Sequence, residues 1–221
     1  MAFKTEQERF WHGEFGNNYI RRNCNRNTLA CNTHFFASVF KRIVKIQSAI
    51  EFGANIGLNL SALALLFHDI DLSAVEINHK AVGELKRNLD TVTIYHQSIL
   101  DFEPDRTWDL AFTKGCLIHI NPDMLSVVYE LLYRSSGRYI LLSEYYNPKP
   151  VDVTYRGHTG KLFKRDFAGD MLDIYDDLRL CDYGFVYRRD NCFPQDDMTW
   201  FLMEKQRSWP ALRPIPEGQM E

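Results

Sequence analysis

From residue 48 to residue 143 the chain alternates short apolar runs with stretches of helical period, and this alternation restricts the fold more than any other feature. Apolar runs at Ser48 to Phe52, Leu72 to Ile77, Val92 to His96, Trp108 to Thr113 and Arg138 to Ser143 predict strands. Helical spacing predicts helices from about Leu58 to Phe67 and from His79 to Leu89. A third opens at Asn121-Pro122 and ends at Gly137, with Pro in its first turn and Gly at its stop. Strand and helix in alternation build a sheet with helices on both faces.

The flanks complete the sheet. Phe35, Phe36, Val39, Phe40, Ile43 and Val44 recur at helical spacing behind a cap at Asn32 or Thr33, which predicts an N-terminal helical cap ending near Lys45. After an irregular stretch from about Tyr145 to Arg165, Asp166 caps a helix that turns Phe167, Met171, Leu172 and Ile174 inward. Strands near Cys181 to Tyr187 and Thr199 to Glu204 follow closely enough to pair as an antiparallel hairpin. The predicted fold is α/β: one doubly wound, Rossmann-like, seven-stranded mixed sheet. Residues 1–206 read as a single domain with 1–47 as its cap or lid. Residues 207–221, with three prolines, read as a C-terminal tail.

Composition narrows the function classes. With 221 residues, 45% of them hydrophobic, the chain can bury a sizeable core, which excludes general disorder. The 26 Lys and Arg against 29 Asp and Glu give a net charge of -3, which argues against a nucleic-acid partner. The most apolar run, Leu60 to Phe67, falls far below the roughly 20 residues that span a bilayer, so no membrane partner is expected. Five cysteines without paired close spacing fit a reducing, cytoplasmic setting. Cys31 and His34 have the spacing of half a metal site, but no second pair accompanies them, so no metal is expected.

The richest segment is Glu51-Phe52-Gly53-Ala54-Asn55-Ile56-Gly57-Leu58-Asn59, at a predicted strand-to-helix turn. A dinucleotide fingerprint would require glycine at 55 and 58, where Asn and Leu stand, which disfavours NAD. Glu76 ends the second strand 23 positions after Gly53, where a carboxylate can accept both hydrogen bonds of a ribose, and Ile77 beside it can pack on a base.

Gly53 and Gly57 fit the looser acidic-x-Gly-x-x-x-Gly turn, and with Glu76 the segment resembles class I S-adenosylmethionine-dependent methyltransferases. The resemblance implies that fold, S-adenosylmethionine as cofactor, and a cofactor site of Glu51, Gly53, Ala54, Asn55, Gly57, Asn59, Glu76 and Ile77. Ser98 and Ile99 take the place at the adenine edge, where many relatives have Asp followed by a small residue. Thr113 and Lys114 stand beside the methionine portion. Asn55 departs from the usual middle glycine, but Asn tolerates left-handed geometry.

Longer strings, Phe112 to Pro122, Glu144 to Pro148 and Tyr155 to Asp166, together with Glu51 to Asn59, resemble the pseudaminic-acid-biosynthesis-associated methylase family. That likeness implies a bacterial enzyme encoded with surface-sugar pathways but does not fix the acceptor. The basic stretch from Tyr155 to Arg165, taken as a clamp, points to a small-molecule acceptor that is an anionic sugar or nucleotide sugar. The rival readings are a methyltransferase for another small metabolite and a non-catalytic cofactor-binding subunit.

His119, just past the fourth strand, is the candidate general base; the plainer reading is a helix-start histidine with a backbone partner. Tyr145, Tyr146 and Asn147 follow the fifth strand and either line the acceptor site or close the core. Arg156, His158, Lys161 and Arg165 lie in a stretch free of acidic residues, either an anion clamp or a solvated loop. Trp11, Phe15, Gly16, Tyr19, Arg21 and Arg22 form either a lid over the cofactor, with Tyr19 and Arg22 touching it, or packing anchors.

Overall fold

The computed structural model describes residues 2–23, 26–43 and 46–206, apart from the side chains of 21–23, 26 and 42. Three helices come first: α1 (Glu6–His12), α2 (Glu14–Asn23) and α3 (Arg26–Val39). The alternating part follows as β1 (Ser48–Phe52), α4 (Leu58–Leu66), β2 (Asp71–Val75), α5 (His79–Asn88), β3 (Thr93–Tyr95), β4 (Trp108–Lys114), α6 (Leu125–Ser135) and β5 (Ser136–Glu144). The chain continues with a two-residue ladder of β6 (Val151–Asp152) and β7 (Phe163–Lys164), then α7 (Phe167–Ile174), β8 (Leu178–Val186) and β9 (Met198–Lys205).

The seven long strands form one sheet in the order β3-β2-β1-β4-β5-β9-β8, and only β9 runs antiparallel to its neighbours. The strand order reverses between β1 and β4, which opens a crevice at their carboxyl ends where folds of this kind bind ligands. Both faces are covered, so the central strands are apolar on both sides. Ile50, Phe52, Val75, Ala111 and Leu142 pack with α6 and α7 residues such as Val128, Leu132, Phe167 and Met171. Ala49, Ala74, Leu110, Phe112 and Leu141 pack with Phe35, Phe36 and Val39 of α3 and Leu60 and Leu63 of α4.

Helix starts follow local chemistry. Asn78 caps α5 by accepting from the backbone N–H of Lys80 and Ala81, and Asp166 caps α7 by accepting from Gly169. Thr5 and Glu8 cap α1 reciprocally.

Three expectations need correction. The helix α3 begins at Arg26, so Asn32 and Thr33 lie inside it; Asn32 is buried and the Thr33 hydroxyl donates to the Leu29 carbonyl. The expected end near Lys45 lies outside the described residues, though α3 itself stops at Val39 and passes into a 3₁₀ turn. Gly137 is not a helix stop: the Ser136 N–H closes α6 onto the Leu132 and Tyr133 carbonyls, and Gly137 already belongs to β5. Ile174 is 53% exposed, because α7 ends there and its last residue projects past the packed layer. The tail expected at 207–221 lies outside the described residues. Among the described residues no helix is long and apolar enough to cross a membrane.

Candidate functional site

The turn after β1 is shaped by three residues in the left-handed region: Gly53 (φ 77), Asn55 (φ 50) and Gly57 (φ 80). A Cβ on Gly53 would lie 2.5 Å from the Cys116 Sγ, so that position has two reasons to be glycine. The N–H groups of Gly53 and Ala54 donate to the Val75 carbonyl, which holds the turn against the end of β2. One residue further, Glu76 receives the Asn55 N–H on Oε2 and the Asn78 N–H on Oε1, each at 2.7 Å. Burial raises its pKa, and the backbone donors of Asn78 and Asn55 work against that rise.

Beneath the turn, the Glu51 Oε1 accepts from the Asn59 side-chain amide at 2.6 Å, while Oε2 has no partner among the described residues. Burial pushes the Glu51 carboxyl up to about 8. Lys114, at the end of β4, directs its ammonium to the Asn32 Oδ1 at 3.3 Å, and its burial lowers its pKa against the opposing pull of Glu51.

Two cavities meet here. The smaller, about 120 Å³, runs along the ends of β2 and β3 and is lined by Glu76, Ile77, Ser98 and Ile99, with Trp11, Gly16 and Tyr19 from the N-terminal helices. The larger, about 570 Å³, opens toward α3 and the end of β5 and is lined by Ala54, Asn59, Lys114, Tyr145 and Arg156. Gly53, Asn55, Gly115, His119 and Tyr19 line both and form the seam.

His119 closes a 3₁₀ turn, Leu117–His119, and is buried. Its Nδ1 lies 2.6 Å from the Lys161 carbonyl, so Nδ1 carries the proton and Nε2 the free lone pair. Burial depresses its pKa to about 4, which keeps the ring neutral near pH 7. The turn is held from below by Glu144, whose carboxylate accepts from the N–H groups of Cys116, Leu117 and Ile118 at 3.1 to 3.4 Å. Burial raises Glu144 to about 7 despite those donors. Trp11 packs on the His119 ring at 4.5 Å and on Tyr19 at 5.2 Å, and Tyr155 lies 5.1 Å from His119.

The predicted acceptor residues separate. Tyr145 and Arg156 line the larger cavity, with the Tyr145 hydroxyl donating to Asp196 at 3.1 Å. The other five line neither cavity. His158 packs on Phe10 and Phe15, and the buried Lys161 ammonium pairs with Glu6 at 2.6 Å. Asn147 donates its side-chain amide to the Lys149 carbonyl, while Tyr146 and Arg165 flank Phe201 on the side of β5 facing α7. Of the predicted cofactor residues, Thr113 is wholly buried within β4 and Gly57 serves as the N-cap of α4. The expectation for Arg22, like that for Arg21, falls on a side chain outside the described residues.

Several lining residues escaped the sequence reading. Asn27, Thr28 and Asn32 come from α3, and Gln195 and Asp196 from the loop before β9, with no motif to mark them. Gln7 and Glu8 line the smaller cavity, and the only signal for Glu8 is the spacing Thr5-x-x-Glu8 of a capping box. Among the described residues no group of three His, Cys, Asp or Glu side chains is placed to hold a metal ion, and His34 stacks on Phe193 at 4.1 Å.

No family model and no curated protein matches the chain in sequence. Solved structures do match. Magnesium protoporphyrin IX methyltransferase from Synechocystis PCC 6803, with S-adenosylhomocysteine bound, is similar at 13% identity and a TM-score of 0.65, over 90% of this chain and 97% of that one. The 1,6-didemethyltoxoflavin-N1-methyltransferase of Burkholderia thailandensis, with 1,6-didemethyltoxoflavin and S-adenosylhomocysteine bound, is similar at 12% identity and a TM-score of 0.67, over 94% and 92% of the two chains. DesVI of Streptomyces venezuelae is similar at 10% identity and a TM-score of 0.60, over 92% and 100%. At such identities the likeness is one of fold, and the fold is that of class I S-adenosylmethionine-dependent methyltransferases.

Proposed function

We propose that the chain is an S-adenosylmethionine-dependent methyltransferase whose acceptor is a hydroxyl or amine of a small anionic molecule, an acidic or nucleotide-linked sugar of pseudaminic-acid-type surface-glycan synthesis. The observation that carries the reading is Glu76. Its Oε2 accepts the Asn55 N–H and its Oε1 the Asn78 N–H, the Ile77 N–H lies close by, and the carboxylate lines the smaller cavity, so its two oxygens suit two neighbouring hydroxyls of a ribose.

The remaining residues fit the same ligand. Ile77 and Ile99 supply apolar walls for a base, and the glycine at 53 lets a ligand approach the backbone. Tyr19 and Trp11 offer aromatic faces near the seam, favourable to a positively charged sulfur. The unpartnered Glu51 Oε2 and the Lys114 ammonium suit an amine and a carboxylate. Two of the similar solved structures hold S-adenosylhomocysteine, which supports the ligand class.

When bound, S-adenosylmethionine supplies a methyl group on a sulfonium, open to in-line displacement by an oriented acceptor. His119 Nε2 is the group at the seam able to take a hydroxyl proton, and its neutral form is the one present near pH 7. Arg156 gives the larger cavity positive charge for an anionic acceptor, Lys114 being the partner of the cofactor's carboxylate. The low basicity of His119 favours one variant of the reading, an amine acceptor already neutral at working pH, which needs no base.

The test is calorimetry followed by product analysis. S-adenosylhomocysteine should bind and raise the Tm, and NAD should not. Isotopically labelled S-adenosylmethionine should then label an acidic or nucleotide-linked sugar, read by mass spectrometry. Binding of NAD without either methyl-cycle ligand would overturn the cofactor; labelling of uncharged acceptors alone would overturn the acceptor class.

A further inference from the structure

The smaller cavity ends against α1, which contributes Gln7, Glu8 and Trp11. The Trp11 indole, whose N–H has no partner among the described residues, packs on Tyr19 and His119 at the seam, and the other two side chains present acceptors. Glu8 is buried, and its Oε2 receives both the Thr5 N–H at 2.7 Å and the Thr5 hydroxyl at 3.3 Å. Its Oε1 receives the Ser98 hydroxyl, a single bond that leaves a lone pair on that oxygen. Ser98 is thereby committed: its one proton goes to Glu8, and its oxygen already accepts from the Leu100 N–H. The residue after β3 that the sequence marks for the base edge has no proton left to give, and the carboxylate behind it is what meets the cavity.

A second acceptor stands next to it. Gln7 is buried, its amide nitrogen donates to the Gly160 carbonyl at 2.9 Å, and that bond leaves Oε1 as an acceptor with no donor among the described residues. The walls between these groups and Glu76 include Ile77, Ile99 and Leu100. A narrow apolar slot that ends in two acceptors is complementary to a flat ring bearing an exocyclic amine. A ring with a carbonyl at that position would set oxygen against oxygen, and each unpaired buried acceptor would be left without a donor.

Resting on the methyltransferase reading above, we propose that Glu8 of α1 is the specificity residue for the cofactor's base: it accepts the adenine amine through Oε1 and rejects a 6-oxo purine. The N-terminal helix is then part of the cofactor site itself, and the base joins α1 to the end of β3.

The experiment compares S-adenosylhomocysteine with S-inosylhomocysteine, in which a carbonyl replaces the amine, by calorimetry on the full chain. The native protein should prefer the adenosyl ligand by about 10- to 100-fold, the range set by one hydrogen bond to a charged group. Glu8→Gln, whose amide can turn either an oxygen or an N–H toward the ligand, should bring the two affinities within a few-fold of each other. Thr5→Ala, which breaks the helix cap but spares the acceptor, should lower the Tm and keep the native preference. Equal affinities in the native protein would overturn the proposal without any variant. So would a native preference retained in folded Glu8→Gln, or a preference lost equally in Thr5→Ala, which would assign the effect to the cap. Absence of binding by either ligand to the native protein would instead strike the cofactor reading on which the proposal rests.

Discussion

The two cavities that meet at His119 are built differently. The smaller is walled mainly by apolar side chains at the ends of β2 and β3 and closed by α1 and α2. The larger is edged by polar groups from α3, the end of β4, Tyr145 just past β5, the Tyr155–His158 turn and the loop before β9. On the proposed reading the smaller would take the cofactor's adenosine, and the larger its methionine portion and the acceptor. The difference also separates what each can lose: the first should fail in binding, the second in turnover and acceptor affinity.

The largest expected effect tests the seam between them. His119→Ala should lower kcat by about 10² to 10⁴ for a hydroxyl acceptor, with the Kd for S-adenosylhomocysteine nearly unchanged. Because burial holds the ring near 4, the native rate should not show a histidine ionisation between about pH 6 and pH 8. A loss of cofactor affinity as large as the loss in kcat would merge the two cavities into one functional unit. Next in size, Glu76→Ala should weaken S-adenosylhomocysteine by about 2 to 4 kcal/mol in calorimetry. The acceptor KM, measured at saturating cofactor, should stay put. An unchanged Kd in a folded protein would remove Glu76 from the ribose role.

The same contrast explains what could be read from the sequence. The Glu51–Asn59 turn and Glu76 each lie at the end of an apolar run, so strand periodicity places them at one sheet edge. The sheet was legible for the same reason: its central strands are buried on both faces, and their apolar runs are nearly unbroken. The far side of the larger cavity, formed by α3 and the loop before β9, offered no such signal. Asn32 and Asp196 are ordinary polar residues that tertiary packing alone brings near Lys114 and Tyr145. The basic stretch at 156–165 was legible as charge but not as geometry, because Lys161 spends its ammonium on Glu6 and Arg165 lies on the side of β5 facing α7. The first thirty residues carry no clean period, since their aromatic side chains pack on loops rather than into the sheet, as Phe10 and Phe15 do on His158.

A third prediction concerns the support under the seam. In the folded protein Glu144 titrates near 7, above the ordinary carboxylate value of 4.5, so between these values the folded state keeps a proton that the unfolded state has released. Its contribution to stability is therefore complete below about pH 4.5 and is lost as pH rises through about 7. Relative to Glu144→Gln, the native protein should lose about 2 to 3 kcal/mol between about pH 5 and pH 8, read from urea denaturation at both values. Parallel pH profiles for the two proteins would show that the carboxylate ionises normally and that the three backbone donors outweigh its burial.

The smallest expected effect concerns the cation at the mouth of the larger cavity. Arg156 occupies the left-handed region (φ 50) ahead of Gly157 (φ 85), in a turn where Tyr155 and His158 exchange two backbone hydrogen bonds. A non-glycine residue pays for that conformation, and strain of this kind persists where the surrounding structure imposes it. The side chain is exposed, so water and salt weaken any contact it makes. Arg156→Ala should therefore raise the KM for an acidic acceptor only about two- to fivefold at ordinary salt, with a larger ratio to the native value at low salt and convergence at high salt. Arg156→Gly removes the same charge but relieves the backbone, and should match Ala in KM while exceeding it in stability by up to about 1 kcal/mol. Equal KM values for native protein and both variants across the salt series would remove the anion clamp from the larger cavity.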